Sequence, residues 1–369
     1  MWPVWQAGHI VEWKVLPWKF HYTIKLNENS IYSSQAAPGV IVERIDVVLI
    51  GAGRMGQVHG PNAALHPGLR LKYVVDPRAG AADALGRRFG AQAAGLEQAL
   101  ADPSVKGVLV CSSTDQHLGH ALAAVEAGKA VFCEKPIDLD LRKVMQARPR
   151  FEGARFLLGF NRRFDPNFRA LKQRLDSGEA GTLESLHLVN HDPAAPPPGF
   201  IPTSGGLFKD FTIHDLDMAR WLLGEEPVQV YTAASCLVDP EIGRLGDVDT
   251  ARTVLKTASG RLCVISNTRR SGYGYDQRIE AFCSAGMINA GNAQPDTLQT
   301  LTETGVSGAP IHPGFAERYR SAYRDQIHHF ADVVHGRAEP LVGYADGVAA
   351  LVLAEACEAS MRSGTTIRL

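Results

Sequence analysis

From residue 45 onward the chain alternates short, largely apolar runs with longer mixed segments. "IDVVLI" from Ile45 reads as a short apolar strand of the kind buried on both faces of a parallel sheet; "LKYVVD" from Leu71 reads as a second strand, "GVLVCSS" from Gly107 as another buried one, and "AVFCEKP" from Ala130 as a strand ending in Pro. Between them lie helical stretches: one to about residue 66, an Ala-rich one over 79–89, and "HLGHALAAVEAG" with its Gly stop. This alternation predicts a doubly wound parallel α/β sheet. After "RFLLGFNRRFD" the pattern changes. "LESLHLVN", "VQVYTAASC", "TARTVLKT", "RLCVISNTR", "QRIEAFC" and "GMINA" follow in near succession, several with period two, and predict a large, mainly antiparallel, open-faced sheet with helices on one side. Two more helices are expected near 316–335 and 344–363.

One helical segment breaks the usual amphipathic rule. "GGLFKDFTIHDLDMARW" from Gly205 places Asp210, His214, Asp217 and Trp221 in one row at 100° per residue, beside the apolar stripe of Leu207, Phe211, Met218 and Leu222. A solvated face would lie opposite that stripe. Two carboxylates and an imidazole are therefore expected to point inward.

The first 44 residues differ from the rest. They hold four of the five tryptophans, Trp2, Trp5, Trp13 and Trp18, and no sustained period. No basic stretch precedes an unbroken apolar core, and Glu12, Lys14 and Lys19 interrupt the run, so a signal peptide is not indicated. The segment reads as an appended, poorly ordered tail; an extra strand at 20–26 is the rival reading. The expected division is thus 1–44, an extension; 45–160, a nucleotide domain; and 161–369, an α+β domain for substrate and oligomerisation.

Composition narrows the function. The chain has 369 residues, 45% hydrophobic and 21% charged, enough for two cores. A formal net charge of −1 gives no reason to expect nucleic acid or a membrane surface as partner. Six scattered cysteines, without a CxxC pair or a His at ligand spacing, indicate reduced thiols, a cytoplasmic setting and no metal site.

"GAGRMG" joins the first strand to the first helix and sets Gly51, Gly53 and Gly56 in a GxGxxG, with Arg54 and Met55 between. Asp76 ends the next strand, 20 residues past Gly56. In that context the motif is a Rossmann dinucleotide fingerprint: a tight turn at Gly51, close approach to pyrophosphate at Gly53, close packing at Gly56. Asp76 would accept from the adenosine ribose hydroxyls and repel a 2′-phosphate, which favours NAD, although Arg78 close by suits that phosphate. Glu134, Lys135 and Pro136 leave a buried strand at the same carboxyl edge; taken alone they could be a charged turn. Combined, the residues suit oxidation of a secondary alcohol. NAD would accept hydride, His214 would take the hydroxyl proton, Asp210 would orient His214 or hold a hydroxyl, and Lys135 would polarise the oxygen. Asp215 and Asp217 are expected to be structural partners of Arg162, Arg163 or backbone.

"GAGRMG", "CEKP", "GFNRRFD" and "GGLFKDFTIHDLDMARWLLG" together resemble the Gfo/Idh/MocA oxidoreductases, over the chain from about Ile45 to its end. "FCEKPIDLDL", "DVDTA", "SGYGYDQRIEAF" and "AERYRSAYRDQIHHF" look most like the inositol 2-dehydrogenases of that family. The resemblance implies that Lys135, Asp210 and His214 are catalytic and that Lys135–Pro136 is cis. It implies polyol contacts from Asn161, Arg162, Asp192 and Tyr275. Ser112, Thr114, His117 and Glu134 would join the glycine loop around the cofactor. The implied reaction is NAD-dependent oxidation of myo-inositol to the 2-keto product. Scyllo-inositol, another polyol or aldose, or an NAD-dependent glycosidase reaction remain alternatives. Relatives of this kind are commonly tetramers that pair through the open sheet, so the resemblance implies a homotetramer through the C-terminal sheet.

Overall fold

The computed structural model of the chain describes residues 44–78 and 80–369. The tail expected at 1–44 and the alternative strand at 20–26 lie, except for Arg44, outside the described residues.

The first sheet is parallel, with strands β1 (Ile45–Ile50), β2 (Leu69–Val75), β3 (Gln92–Ala93), β4 (Val105–Val110), β5 (Ala130–Cys133) and β6 (Phe156–Leu158) in the order β3-β2-β1-β4-β5-β6. Val47 to Ile50, Val108 to Val110 and all of β5 are buried, as continuous apolar runs covered on both faces must be. The order reverses between β1 and β4, and ligands bind at that crevice outside the carboxyl ends of the strands. Gly51, Asp76, Cys111, Glu134 and Gly159 each follow one of these strands.

The second sheet runs β12-β11-β7-β10-β9-β8-β15, from β7 (Leu183–His191), β8 (Pro227–Ser235), β9 (Thr250–Thr257), β10 (Leu262–Thr268), β11 (Asp276–Cys283), β12 (Gly286–Ala290) and β15 (Ile367–Arg368). It is mainly antiparallel, but its central pair β7–β10 is parallel. That pairing brings the carboxyl ends of β7 and β10, and the start of antiparallel β11, to one end of the sheet. One face packs through Leu188, Ile265, Leu255 and Ala281 toward the helices. The other carries two registered rows, Tyr231–Val254–Val264 and Leu262–Phe282–Met287, the first through direct pairs and the second through Ser185, and all six side chains are exposed. A separate hairpin is formed by β13 (Gln299–Thr302) and β14 (Gly305–Gly308).

Two helical expectations change. The segment after Gly206 is not one α-helix: Leu207–Thr212 is a π-helical turn leading into the α-helix Ile213–Leu223. The helix expected over 316–335 is broken at Tyr319 into Phe315–Arg318 and Arg320–Val334, with the Tyr319 ring buried at the joint. The last helix is Tyr344–Ser363, as expected.

Candidate active site

The glycine loop is shaped by backbone contact. Gly51 has φ +98°, and a Cβ there would strike the Cys111 carbonyl; one on Gly56 would strike the Gly51 carbonyl. Gly53 has nothing within 4 Å of its would-be Cβ and faces the cleft. The helix Arg54–Ala64 starts directly after it, without a side-chain cap or an acidic residue in its first turn. Its free N–H groups and positive dipole end are therefore left for a phosphate. Asp76 accepts from Ala52 N at 2.8 Å and from Arg78, both the backbone N and the guanidinium, at 2.9 Å. The Arg78 bond, chiefly, pulls its carboxyl down to about 2 despite partial burial, so it is ionised at any working pH. An open cradle, an uncapped helix start and an ionised carboxylate fit a dinucleotide.

A cleft of about 1350 Å³ connects this loop to the second sheet. Every sequence-predicted site residue except Gly56, which packs behind the loop, lies on its wall. From the first sheet come Gly51, Gly53, Arg54, Met55, Asp76, Arg78, Ser112, Thr114, His117, Glu134, Lys135, Asn161 and Arg162; from the second half come Asp192, Asp210, His214 and Tyr275. Lys135, at the cis bond to Pro136, donates Nζ to the Asp210 carbonyl at 2.7 Å and approaches Asp210 Oδ1 at 3.4 Å. His117 is a brace: one ring nitrogen meets the Pro136 carbonyl at 2.7 Å, the other the Ser112 carbonyl at 3.1 Å. It ties together the loops after β4 and β5.

The inward row near Gly205 resolves into two parts. Asp210 and His214 face the cleft. Asp217 is buried and takes Arg163 in a two-point pair, with the guanidinium over the Trp221 ring at 5.9 Å. Asp215 accepts from Arg162 at 2.5 Å, Asn190 at 2.7 Å and Asn267 at 2.8 Å. Buried carboxylates with this many donors hold the helix and its site face in place.

Arg269, just past the end of β10, had no place in the sequence reading. Its Nη1 lies 3.1 Å from Asp210 Oδ2 and 3.6 Å from Asp192 Oδ2, and its guanidinium covers the Phe211 ring at 5.0 Å. The two carboxylates consequently diverge. Burial would raise Asp210, but Lys135 and Arg269 outweigh it and hold the carboxyl below its usual range. Asp192 is raised to about 6, by burial first, with Arg269 opposing and the Asp210 charge reinforcing. His214 is pushed well below the ordinary imidazole range, by burial and then by Lys135 and Arg162, so it stands neutral. Among the described residues His214 Nδ1, Asn161 Nδ2, Arg162 Nη2 and Arg269 Nε and Nη2 are buried without hydrogen-bond partners. Such a concentration of unmet polar capacity on one cleft suits a ligand rich in oxygen.

Profiles of known families match both halves. The oxidoreductase family with NAD-binding Rossmann fold, GFO/IDH/MocA, matches residues 45–156, and the GFO/IDH/MocA C-terminal domain matches 168–289. The chain belongs to the GFO/IDH/MocA oxidoreductases. It is 42% identical over 315 residues to the inositol 2-dehydrogenase of Rhizobium meliloti strain 1021, covering 85% of this chain and 96% of that protein. It is 41% identical over 325 residues to the myo-inositol 2-dehydrogenase of Thermotoga maritima, covering 87% and 97%. The crystal structure of a myo-inositol dehydrogenase from Corynebacterium glutamicum superposes with TM-score 0.85 at 38% identity, covering 88% of this chain and 99% of that one. As a GFO/IDH/MocA oxidoreductase the chain uses NAD and acts on a CH–OH group. Among the described residues no helix is long and apolar enough to cross a membrane.

Proposed function

We propose that the protein oxidises myo-inositol to 2-keto-myo-inositol. The observation carrying this reading is the meeting of Lys135, Asp210 and His214 on the cleft that also contains the glycine loop and Asp76. NAD, when bound, supplies the hydride acceptor. Gly51, Gly53 and the N–H groups that follow would hold its pyrophosphate, and Asp76 its adenosine ribose. On the other side, Lys135 donates to the reacting oxygen and favours its negative form. Asp210, fixed between Lys135 and Arg269, holds the hydroxyl in line. His214 takes the proton. The imidazolium so formed is disfavoured by burial and two cationic neighbours, so it keeps the proton only transiently. Asn161, Arg162, Asp192 and Tyr275 would hold the remaining hydroxyls; a neutral hexol calls for such neutral and ionic donors and acceptors together. The relatives named inositol and myo-inositol 2-dehydrogenases support the choice of substrate.

The test is direct. Purified protein, NAD and a panel of myo-inositol, scyllo-inositol, other cyclitols and aldoses are followed by NADH absorbance; myo-inositol should give the highest kcat/KM. No NADH from any of them, at alkaline pH and millimolar substrate, would end the dehydrogenase reading. We also infer a homotetramer paired through the exposed rows of the second sheet, since six exposed apolar side chains in register need cover. A monomeric mass by sedimentation would remove that inference.

Asp76→Ala should raise the KM for NAD about tenfold with little effect on kcat, the effect of losing a charged hydrogen-bond acceptor at the ribose. It also frees Arg78 for a 2′-phosphate, so NADP use should rise in the same assay; unchanged NAD KM would contradict the ribose role. Asp192 gives a pH signature. With its pKa raised to about 6, it is a carboxylate above that pH and a neutral acid below. As pH falls through 6 it ceases to balance Arg269 and to accept substrate hydroxyls, so kcat/KM should decline there. Asp192→Asn should lower kcat/KM at pH 8 and flatten this limb, whereas an unmoved limb would assign it to another group.

A further inference from the structure

His59 is a fully buried imidazole that the proposed reaction does not use. It sits on the helix that begins at the glycine loop, with the Phe132 ring at 4.7 Å and the Tyr323 ring edge-on at 5.5 Å. Its Nε2 lies 2.6 Å from Glu134 Oε1, while Nδ1 has no partner among the described residues. Facing a carboxylate, Nε2 carries a hydrogen and donates it to Glu134, which accepts as the anion. Its other oxygen accepts the Lys135 backbone N–H at 3.2 Å, and Gly159 packs against it so closely that a Cβ would come within 3.0 Å of Oε2. Burial alone would raise Glu134, but the His59 bond, with Lys135 and His117, outweighs it and keeps the carboxyl below its usual range. The Lys135 amine is engaged by Asp210 and forms no hydrogen bond to Glu134. One negative charge is thus held, nine-tenths buried, on the cleft wall.

Its place in the sheet gives it a counterpart. Glu134 follows β5, on the far side of the β1–β4 crevice from Asp76 after β2. A dinucleotide laid across such a crevice, with its adenosine ribose at Asp76, brings its nicotinamide half to the β4–β5 side. The oxidised nicotinamide ring is a cation and the reduced ring is neutral. We propose that Glu134, positioned by His59, is an electrostatic selector that favours the oxidised over the reduced cofactor and so promotes release of NADH after hydride transfer. A fixed charge in a poorly solvated wall is strongly felt by a ring whose charge changes by one unit. The proposal rests on NAD being the cofactor, and its test separates the two.

The experiment is binding by the full-length protein, with no substrate. Affinity for NAD⁺ is read from quenching of protein fluorescence and affinity for NADH from the coenzyme's own emission, at pH 8. Glu134→Gln keeps the shape and should shift the ratio of the two dissociation constants about tenfold toward NADH, roughly the effect of one removed charge in this setting. His59→Leu gives a second readout. Without its donor the buried carboxyl gains a proton more easily, so the ratio should match wild type at pH 9 and move toward that of Glu134→Gln at pH 6. The groups facing Glu134 are His59 and Tyr323 from two helices, His117 from a third, Cys111 after β4, and its chain neighbours Cys133, at the end of β5, and Lys135. Of these His117 is the one other group of ordinary pKa near 6; its pKa is depressed, by burial first, and the wild-type titration over the same range subtracts its contribution. A structural role for His59 would weaken both forms equally at every pH. An unchanged ratio in Glu134→Gln would overturn the selector even if His59→Leu failed to fold. Binding of neither form by the wild type would overturn the cofactor assignment and the selector together.

Discussion

Replacing His214 by Ala should lower turnover of myo-inositol about 10³-fold while leaving the affinity for NAD within about threefold of wild type, within the range for loss of a positioned general base. Burial and the charges of Lys135 and Arg162 keep the imidazole neutral, so at pH 7 to 9 essentially every molecule carries a competent base. The other bases on the cleft are poor substitutes. Asp210 is stabilised as an anion by two cations, which lowers its appetite for a proton, and Asp192 is committed toward Arg269. The check is steady-state kinetics with cofactor binding measured separately and folding verified by circular dichroism. A variant turning over within tenfold of wild type would give the proton to one of the two carboxylates. Added imidazole, entering the space left by the ring, should restore part of the rate, a response that loss of packing alone would not give.

The first half of the fold was legible because its signals are local and mutually consistent. β1, β4 and β5 each carry an apolar run, β2 is largely apolar toward its carboxyl end, and a glycine motif with an acidic residue at the end of the next strand is read from sequence alone. The candidate site residues attached to those strands, Asp76 and Lys135 among them, inherited that legibility: they follow strands at the carboxyl edge of a parallel sheet and line the cleft there. The inward row of Asp210 and His214 was visible for a different reason, as charged positions bordering an apolar stripe where solvated ones should not be. Their partners in the same segment were also foreseeable, since Arg162 and Arg163 are the cations of "FNRRF" and end up on Asp215 and Asp217.

What stayed hidden depended on distance along the chain. Arg269 reaches Asp210 across 59 residues, and His59 reaches Glu134 across 75. Arg269 is half of an Arg–Arg pair following a strand, which locally resembles a solvated turn. It comes to the cleft beside Asp210 and Asp192 because β10 lies parallel to β7, and no periodicity reports that pairing. The π turn at Leu207–Thr212 is likewise invisible to a 3.6-residue pattern, although it sets where Asp210 stands relative to His214. β3, β13, β14 and β15 have two to four residues each, with little burial, so they carry too few apolar positions to show a period.

The second large effect is expected at Lys135. Lys135→Met keeps much of the side-chain length but removes the ammonium, and kcat should fall about 10³-fold, the upper range for deleting one donor to a developing oxyanion. Two losses add up. The reacting oxygen loses its positive neighbour, and Asp210 is left with Arg269 as its only cation. Burial, the largest influence on Asp210, then counts for more, so its carboxyl should titrate at higher pH than in the wild type. The acid limb of kcat should move upward in Lys135→Met, whereas Lys135→Arg should retain the wild-type limb even though its wider, planar group donates poorly to a single oxygen. That contrast separates charge from geometry. If Lys135→Met lowered kcat without moving the limb, the ammonium would act on the substrate oxygen alone; if kcat were unchanged, the proposed centre would have to be rebuilt around Arg269.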